Sequence, residues 1–322
     1  MAKVTETNPQ QRLNYSDDLA PVIERTCRVY GIGKIESFNL IETGYEDCNV
    51  LIKTSNRKFL AKMFAKYRKE EDIERFVAIV LAALDAGVNH PKILKTNTGY
   101  IYRDETDIVL ALLEFVEGKT FKELGRVAND NERQSLLEQA AFINRIGLQP
   151  SFMIDTWAIQ HLEPVYADLQ SFMTNEDKKM VEEVVREYRN IPLEALPQAF
   201  VHGDLTKANV IKSDDGKIYV IDFSVSNWYP RIQELAVIAA NFLNDPNSDM
   251  SLKEKTVNIA TEYSKFNRLT EEELKYLYPV TLAAVAMELL GGLREVYLKK
   301  QDSEETQYWI SLGRNGLRKA LN

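Results

Sequence analysis

Only two of the 322 residues are cysteines, and their spacing excludes the cysteine-dependent classes of small protein. Cys27 and Cys48 form no CxxC pair and have no spacing typical of a zinc site. A disulfide framework is not expected either, because such frameworks need a dense set of cysteines. The two isolated cysteines favour a reduced, cytoplasmic setting.

Glycine, proline and long apolar runs are also too scarce to indicate a fibrous, disordered or membrane-spanning chain. The sequence has 14 glycines and 10 prolines, with 45% hydrophobic and 27% charged residues, as in ordinary globular proteins. Its most apolar run, 280–293, contains Glu288 and is too short to cross a bilayer. Residues 1–14 are polar and lack the apolar centre of a signal peptide. No membrane association is therefore expected.

Basic residues are outnumbered by acidic ones, with 40 Lys and Arg against 48 Asp and Glu and a net charge of −8. Proteins that bind nucleic acid usually carry a strongly basic face, so no nucleic-acid partner is expected. An acidic balance instead suits a cationic or neutral substrate. The composition leaves a monomer and a homodimer equally open.

The chain is long for one hydrophobic core, and its patterns predict two lobes. After an N-terminal leader and helix, 1–34, extended segments at 35–42, 49–54 and 58–64 are joined by turn-rich residues. This spacing predicts an antiparallel meander. A helix at 70–86 and two further strands at 100–102 and 108–113 complete a β-rich N-lobe, 35–113.

Lys62 stands among apolar residues in the third predicted strand. A cation in a mostly buried strand usually meets an anion, either a carboxylate or a phosphate. The alternative is an edge-strand lysine that faces solvent.

The segment 114–118 is predicted to be a hinge between the lobes. A backbone that leaves a buried strand offers N–H and C=O groups to an adenine edge, so Glu114 and Val116 are candidate nucleotide contacts. Gly118 permits a sharp change of direction. The C-lobe, 119–322, is predicted to be mainly helical, with a loop at 228–231 and with a long helical segment after Thr270 that is interrupted at Pro279.

The most informative stretch is Val-His-Gly-Asp-Leu-Thr-Lys-Ala-Asn-Val at 201–210, followed after a hairpin by Tyr-Val-Ile-Asp-Phe at 219–223. Asp204 follows a hydrophobic strand, Asn209 lies five positions on, and Asp222 ends a second strand. One carboxylate can accept a hydroxyl proton, while an amide and another carboxylate can share Mg²⁺. Phosphoryl transfer from ATP requires these groups, because its chemistry is mostly positioning and charge neutralisation.

This constellation resembles the signature of the aminoglycoside phosphotransferase superfamily, which also includes choline/ethanolamine kinases and homoserine kinases. The similarity extends to Lys62, to 114–118 and to Pro230-Arg231-x-x-Glu234-Leu235-Ala236. It implies an α+β, two-lobed, protein-kinase-like fold, with a small antiparallel β-sheet N-lobe and a larger, mainly helical C-lobe.

The resemblance also implies roles for individual residues. Asp204 would be the base, and Asn209 and Asp222 would hold the magnesium ions. Lys62 would contact the α- and β-phosphates of ATP, fixed by Glu74 or Glu71. His202 could be an acid or base, but a structural role in supporting the loop is favoured for it and for Glu234.

The sequence departs from protein kinases in ways that argue against protein substrates. No GxGxxG covers the nucleotide; 43–49 takes its place, with Asn49 as a polar contact, and the choice between ATP and GTP stays open. Ser224 replaces the glycine of the DFG motif, and no APE-like motif follows. The position where relatives commonly place the acid that pairs with the strand lysine falls near Phe76, so Glu74 is chosen only as the nearest acid.

The acceptor is predicted to be a small molecule with a hydroxyl group, of amino alcohol, choline, ethanolamine, homoserine or aminoglycoside type. Aromatic and acidic residues could bind a positively charged nitrogen, and Arg231 or Arg294 could bind a carboxylate. The same aromatic residues could equally be ordinary core. A protein Ser/Thr kinase and a nucleotide-binding pseudokinase are the alternatives. The candidate lining residues are Asn227, Trp228, Tyr229, Glu288 and Tyr297.

Overall fold

The structure, a computed structural model, describes residues 9–41, 47–243 and 248–321. Its contacts divide the chain into two compact units. We call the first the sheet unit; its described residues are 9–41, 47–85 and 89–117. The second, the helical unit, comprises 86–88, 118–243 and 248–321.

The sheet unit is built on a five-stranded antiparallel sheet in the order β1-β2-β3-β5-β4. It confirms the predicted meander, because β1, β2 and β3 pair as consecutive antiparallel neighbours. A short 3₁₀ helix, Pro9–Leu13, precedes these elements. The elements are β1 Ile35–Ile41, β2 Cys48–Thr54, β3 Lys58–Met63, β4 Ile101–Arg103 and β5 Val109–Glu114, with helices α1 Ala20–Tyr30 and α2 Glu70–Asp85.

Side chains alternate across this sheet and fill two separate cores. One face packs Val50, Ala61 and Leu112 against α1 and the preceding 3₁₀ helix. The other packs Ala111 and Leu113 against α2. The described part of 1–34 belongs to the sheet unit, because α1 contributes residues to one of its two cores.

The helical unit contains eight of the helices named here. N-caps with side-chain hydrogen bonds begin several of them, including Thr174 before α6 and the Thr270/Glu273 capping box before α9. A π-helical turn, Ile238–Phe242, continues α7. The helices are α3 Phe121–Leu124, α4 Asp130–Ile143, α5 Leu162–Leu169, α6 Asn175–Tyr188, α7 Ile232–Val237, α8 Leu252–Tyr263, α9 Glu271–Tyr297 and α10 Glu304–Leu321.

Two small antiparallel sheets lie in the same unit. The first has the order β6-β8-β9, formed by Gly118–Thr120, Val210–Ser213 and Ile218–Val220. Gly118 is required there, because a Cβ at this position would lie 2.3 Å from the carbonyl oxygen of Lys212. The second pairs β7, Gln198–Val201, with β10, Asn227–Pro230. The predicted loop at 228–231 is therefore wrong over 228–230, which form a strand.

Helix α9 runs without a break through Pro279, contrary to the predicted interruption. Proline removes one backbone hydrogen bond, but the fully buried run 280–293 that follows it packs the helix into the core. Within the described chain, α9 is also the one helix that is long and apolar enough to cross a membrane. Its most apolar 18-residue window is 83% buried inside the structure, as expected of a core helix.

Candidate active site

The loop 202–209 connects β7 to β8 and carries the residues predicted to perform the chemistry. Gly203 has a left-handed φ of 84° at the point where the chain leaves β7. The loop then closes on itself, because Thr206 N–H donates to Asp204 O and Asn209 N–H donates to Thr206 O. The backbone at Asp204 is thus held in a tight turn.

His202 and Glu234 anchor the start of this loop. The carboxylate of Glu234 accepts the backbone N–H groups of His202 at 3.0 Å and Gly203 at 3.1 Å. The His202 ring accepts Asp204 N–H at Nδ1, and its Nε2 lies 3.0 Å from the carbonyl oxygen of Ile221. Burial lowers the pKa of His202 to about 4. The ring is therefore neutral, with both nitrogens used by the backbone, which gives it a positioning role.

Asp204 is only partly covered and receives the side chain of Asn209. Asn209 Nδ2 lies 2.6 Å from Asp204 Oδ2 and 3.1 Å from the Asp204 carbonyl oxygen. Desolvation by the surrounding protein, then repulsion from Asp155 and Asp222, raises the pKa of Asp204 to about 8. A divalent cation bound nearby would favour the carboxylate and oppose this rise in pKa.

Asp155 is a functional candidate that the sequence did not reveal. The charge of Asp155 adds to the effect of burial in raising the pKa of the Asp204 carboxyl group. It also adds to the effect of burial in raising the pKa of the Tyr229 phenol. Its neighbours Phe152 and Ile154 are 65% and 69% exposed. Nothing in a single sequence separates such an acid from one in an ordinary solvated loop.

Asn227 holds this acidic segment in place. Its side-chain Oδ1 accepts Met153 N–H at 3.0 Å, and its Nδ2 donates to Met153 O at 2.8 Å. Asn227 is 1% exposed, and its amide bonds mainly to the backbone of Met153. Its place in the lining of an acceptor pocket stays a prediction.

The acids of the loop fit a magnesium ion that is shared with phosphates. Asp222 lies beyond β9 with a left-handed φ of 64°, and its charge acts on Asp204. No three His, Cys, Asp or Glu side chains in the described ranges form a metal cluster by themselves. Magnesium commonly takes only one or two carboxylates and completes its coordination with substrate phosphates. The mutual repulsion of these acids is the feature that a divalent cation would relieve.

Glu288 of α9 is connected to the catalytic loop through Asn241. Lys207 N–H donates to Asn241 Oδ1 at 3.2 Å, and Asn241 Nδ2 donates to Glu288 Oε1 at 3.0 Å. Among the described residues, no hydrogen-bond partner reaches the buried Glu288 Oε2. Burial raises the pKa of Glu288 to about 8.

Three aromatic side chains lie near Glu288 and Gly291 of α9. Trp157 packs directly on Gly291, where a Cβ would lie 2.2 Å from its ring. Trp309 lies 6.1 Å from Trp157 and 5.3 Å from Tyr308 between ring centroids. Burial raises the pKa of Tyr308, and the nearby charge of Glu288 raises it further. None of these three rings was among the predicted lining residues. The predicted Tyr297 stacks on Phe172, and its place in the lining stays a prediction.

The other residues predicted to contact the acceptor differ in how far their side chains are already engaged by other residues. Trp228 and Tyr229 are half-buried residues of β10, and Tyr229 packs edge-on against Phe152. The guanidinium of Arg231 is committed to Glu273 at 2.6 and 2.7 Å, so it is not available for a substrate carboxylate. Arg294 instead donates to Thr156 Oγ1 at 3.2 Å, next to Asp155.

In the sheet unit, Lys62 has a carboxylate partner, but not the predicted one. Its Nζ lies 3.0 Å from Asp47 Oδ2, and the Asp47 side chain is 1% exposed. The expected pair with Glu74 or Glu71 is not formed, and both glutamates are exposed on α2. The Lys62 side chain shares its face of the sheet with α2, where its Nζ lies 5.5 Å from the centroid of Phe76. The α2 side chain beside Lys62 is thus an aromatic ring, which cannot supply a counter-charge.

The other predicted nucleotide contacts also lie in the sheet unit. Asn49 pairs directly across β2 and β3 with Lys62, so the two side chains share a face. Glu114 ends β5 instead of starting a separate hinge, and its N–H donates to Lys92 O at 2.8 Å. The contacts of Glu114 and Val116 with an adenine stay predictions. The glycine of the 43–49 loop lies outside the described residues.

Comparison with known proteins places this geometry in context. The profile of the phosphotransferase enzyme family matches residues 37–257. A homoserine kinase of Bradyrhizobium sp. (strain ORS 278) is 23% identical over 220 residues, which cover 66% of this chain and 66% of that protein.

Two solved structures show the same fold at low sequence identity. The amicoumacin kinase hAmiN, in complex with AMP-PNP, Ca²⁺ and Ami, matches with a TM-score of 0.67 and 13% identity over 96% of this chain and 94% of that one. The choline kinase LicA from Streptococcus pneumoniae matches with a TM-score of 0.61 and 14% identity, over 93% and 99%. The predicted α+β, protein-kinase-like fold class is confirmed.

Proposed function

The chain belongs to the phosphotransferase enzyme family, and from this premise we propose that it transfers the γ-phosphate of ATP to a hydroxyl group of a small molecule. We propose further that this small molecule carries a positively charged nitrogen. The observation that carries the proposal is the acidic surplus around Asp204. Asp155 and Asp222 both act on that carboxyl group, and a cationic acceptor and a divalent metal would both be attracted there.

Asp204 is proposed to be the base. Its side chain is partly exposed, and Asn209 fixes one of its oxygens at 2.6 Å. As the acceptor oxygen bonds to the γ-phosphorus, the bond to the ADP oxygen breaks and the hydroxyl proton passes to a carboxylate oxygen of Asp204. His202 is excluded from this role, because both of its ring nitrogens are engaged by the backbone.

Asn209 and Asp222 are proposed to hold magnesium. When bound, the metal neutralises charge on the phosphates of ATP. Asn209 orients Asp204 through its Nδ2, so its Oδ1 is the atom proposed to face the metal. Separate residues thus serve as base and as metal ligands, which keeps the base from bonding too tightly to the cation.

Lys62, Asn49, Glu114 and Val116 are proposed to bind ATP. Lys62 and Asn49 support this because they project from neighbouring strands on one face of the sheet. The adenine contacts of Glu114 and Val116 rest on the family resemblance. The phosphate contact of Lys62 rests on its partly exposed charge as well.

The charged nitrogen of the acceptor is proposed to bind Asp155 and Glu288. Asp155 lies in an exposed apolar segment, while the buried Glu288 has one oxygen that lacks a partner within the described chain. The faces of Trp157, Tyr308 and Trp309 could add cation–π attraction. A nitrogen of this kind is common to choline, ethanolamine, homoserine and aminoglycosides.

The experiment is an ADP-release screen with Mg²⁺-ATP over these four acceptor classes, thioribose sugars and a generic peptide. Each amine is paired with a neutral analogue that keeps the hydroxyl group. We expect at least one charged acceptor to accelerate ADP release, and its neutral analogue to be much poorer. Equal rates for a charged acceptor and its analogue would contradict the proposed recognition. Acceleration by the peptide alone would support the protein-kinase alternative, and the absence of any turnover despite ATP binding would support a pseudokinase.

A further inference from the structure

Asn241 is the one polar residue of the π-helical turn that continues α7. The other residues of this turn, Ile238, Ala239, Ala240 and Phe242, are apolar and buried, and Asn241 itself is 5% exposed. A turn of this kind is rare in helices and is often found at functional sites. Burial of an amide costs free energy unless its donor and its acceptor both find partners. The contacts of Asn241 therefore indicate why a polar residue stands there.

The amide of Asn241 joins α9 to the catalytic loop. Its Oδ1 accepts Lys207 N–H at 3.2 Å, and its Nδ2 donates to Glu288 Oε1 at 3.0 Å. Each end of the amide thus has a partner, and the two partners belong to different elements. An apolar side chain in this place would bond to neither, whereas an asparagine connects the carboxyl group to the backbone of the loop.

The backbone of Lys207 is held from two sides. Its N–H donates to Asn241 Oδ1, and its C=O accepts Lys122 N–H from α3 at 2.9 Å. Phe121 of α3 and Phe242 of the π-helical turn pack edge-on with 4.8 Å between their ring centroids, so the two elements also contact each other. The middle of the catalytic loop is therefore fixed by a frame of which Asn241 forms one side.

The position of Lys207 affects Asp204, because hydrogen bonds close the loop between them. Thr206 N–H donates to Asp204 O at 2.8 Å, and Asn209 N–H donates to Thr206 O at 3.1 Å. Asn209 also holds the side chain of Asp204 at 2.6 Å. A displacement of the Lys207 backbone would therefore move the carboxyl group of the proposed base. Proton transfer requires that this group stay within hydrogen-bond reach of the acceptor hydroxyl group.

The two oxygens of Glu288 have different surroundings. Oε1 is bonded to Asn241, whereas the buried Oε2 makes no hydrogen bond within the part of the chain that the structure describes. Oε2 is the atom that we propose to contact the charged nitrogen of the acceptor. Burial raises the pKa of Glu288 to about 8, while Asn241 and the charge of Lys207 oppose that rise. One carboxyl group thus connects the proposed acceptor contact to the frame around the loop.

These contacts form a continuous chain from the proposed acceptor contact to the base. Resting on the proposed phosphotransfer function, we infer that Asn241 is a positioning residue that links acceptor binding at Glu288 to the placement of Asp204. A charged acceptor bound to Glu288 fixes that carboxyl group, and through Asn241 it also fixes the backbone of Lys207. An uncharged acceptor does not bind the carboxyl group in this way. The preference for a charged acceptor then depends on Asn241 as well as on Glu288.

The test measures a discrimination ratio, defined as kcat/KM for a charged acceptor divided by kcat/KM for its neutral analogue. Choline, ethanolamine, homoserine and an aminoglycoside are each assayed beside such an analogue by ADP release from Mg²⁺-ATP. Asn241→Leu replaces the amide with an apolar side chain of the same branching and removes both hydrogen bonds. We expect it to lower the ratio on the order of tenfold. AMP-PNP binding, measured by calorimetry, should be retained.

The ratio separates positioning from a merely structural role, because a loss of folded protein lowers both kcat/KM values equally. Asn144→Leu is the matched control, since Asn144 is also a buried asparagine that bridges two elements, through Phe200 O and Tyr263 Oη. It should lower the melting temperature and leave the ratio unchanged. An equally unchanged ratio in Asn241→Leu would overturn the inference.

A second variant keeps the test decisive if Asn241→Leu does not fold. Asn241→Ser leaves a shorter side chain whose hydroxyl group cannot span the distance between both partners of the amide. The same loss of discrimination is expected from it. A folded Asn241→Ser protein with the unmodified ratio would contradict the positioning role.

A double-mutant cycle tests whether Asn241 acts through Glu288. Glu288→Gln keeps the size of the side chain and removes its charge, so it should also lower the ratio on the order of tenfold. If Asn241 acts through Glu288, Asn241→Leu should add little to that loss in the double variant. Two losses that multiply would show independent roles and would overturn the inference.

The proposed function and this inference fail in different ways. An unmodified protein with equal kcat/KM values for charged and neutral acceptors would overturn the proposed recognition, and this inference with it. If the unmodified protein prefers the charged acceptor and Glu288→Gln removes that preference, but Asn241→Leu keeps it, only the inference is overturned.

Discussion

The two units place their key acids in opposite electrostatic surroundings. In the sheet unit, the cations Lys62 and Arg68 both reach the buried carboxylate of Asp47. In the helical unit, burial and then repulsion from Asp155 and Asp222 raise the pKa of Asp204 to about 8. We propose that Lys62 binds phosphates and that the acids of the helical unit bind a divalent metal and a cationic acceptor.

The difference also shows how each unit keeps its charges in place. Asp47 is stabilised by permanent partners, because two cations and a backbone amide reach its carboxylate. Asp204 receives Asn209 but is opposed by two like charges, an arrangement that costs folding free energy and suits a group that must exchange a proton. The proposed phosphate-binding residue Lys62 is thus held in a stable ion pair with Asp47. The proposed base Asp204 is instead destabilised as an anion by the like charges of Asp155 and Asp222.

Removing the divalent cation should have the largest effect. Without metal the acids of the helical unit repel one another and the charge of the phosphates is not neutralised, so ADP release should fall below detection. The measurement is ADP release from ATP after dialysis against EDTA. Restoration by added Mg²⁺ is the control, and activity that survives complete chelation would contradict the metal's role.

Asp222→Ala should have the next largest effect, chiefly on metal-dependent binding. We expect Mg²⁺-AMP-PNP binding to weaken about tenfold or more, while binding measured without Mg²⁺ changes little. Asp214→Ala, an exposed acid of the β8–β9 turn, provides the control. Identical Mg²⁺-dependent titrations for Asp222→Ala and the unmodified protein would show that the metal assignment is wrong.

Asp155→Asn should affect the acceptor side alone. Loss of this carboxylate removes one of the two proposed carboxyl contacts, so the KM for a charged acceptor should rise about tenfold while the KM for ATP stays constant. Steady-state kinetics with an acceptor found by the ADP-release screen makes the comparison, with Asp168→Asn, exposed on α5, as control. An unchanged acceptor KM would remove Asp155 from the binding site.

Glu132→Gln should have the smallest effect, on stability and not on chemistry. Arg126, then Lys212 and the Asn129 N–H, lower the pKa of Glu132 to about 2, although burial opposes them. Its stabilisation is therefore complete above the usual pKa near 4.5 and lost as the pH falls toward 2. We expect a loss of roughly 1–2 kcal/mol at pH 7, limited by the exposure of Arg126 and Lys212.

Urea unfolding of Glu132→Gln and the unmodified protein across pH 3–7 measures this difference. The difference in unfolding free energy between the two proteins should decrease as the pH falls from 7 to 3. Glu138→Gln on the same helix is the control. A gap that stays constant with pH would mean that the ion pair does not contribute.

The sequence predicted the parts of the structure that depend on local chemistry. The 201–210 stretch was placed correctly on a loop between strands, because its hydrophobic flanks and the turn at 213–216 are local signals. The Thr270/Glu273 capping box likewise marked the start of α9. Strand β10 was missed, because its partner β7 lies more than 25 residues earlier and Pro230 suggests a loop.

Long-range pairing explains the errors in the site as well. No local pattern indicates that Asp47, in a turn-rich stretch, meets Lys62 across the β2–β3 pair, whereas the charged first turn of α2 offered two plausible glutamates. The rings of Trp157, Tyr308 and Trp309 come together because Trp157 packs on Gly291 of α9 and because α10 packs against α9. Such groupings depend on tertiary contacts that a single sequence does not show.

The most direct test of the account is Asp204→Asn, measured by ADP release from Mg²⁺-ATP with the best charged acceptor and by AMP-PNP binding. The substitution keeps the size of the side chain and removes only its capacity to accept a proton. The account predicts that turnover falls by about a hundredfold or more while AMP-PNP binding is retained. Unchanged turnover would contradict the assignment of Asp204 as the base, and with it the claim that the acidic surplus of the helical unit performs the chemistry.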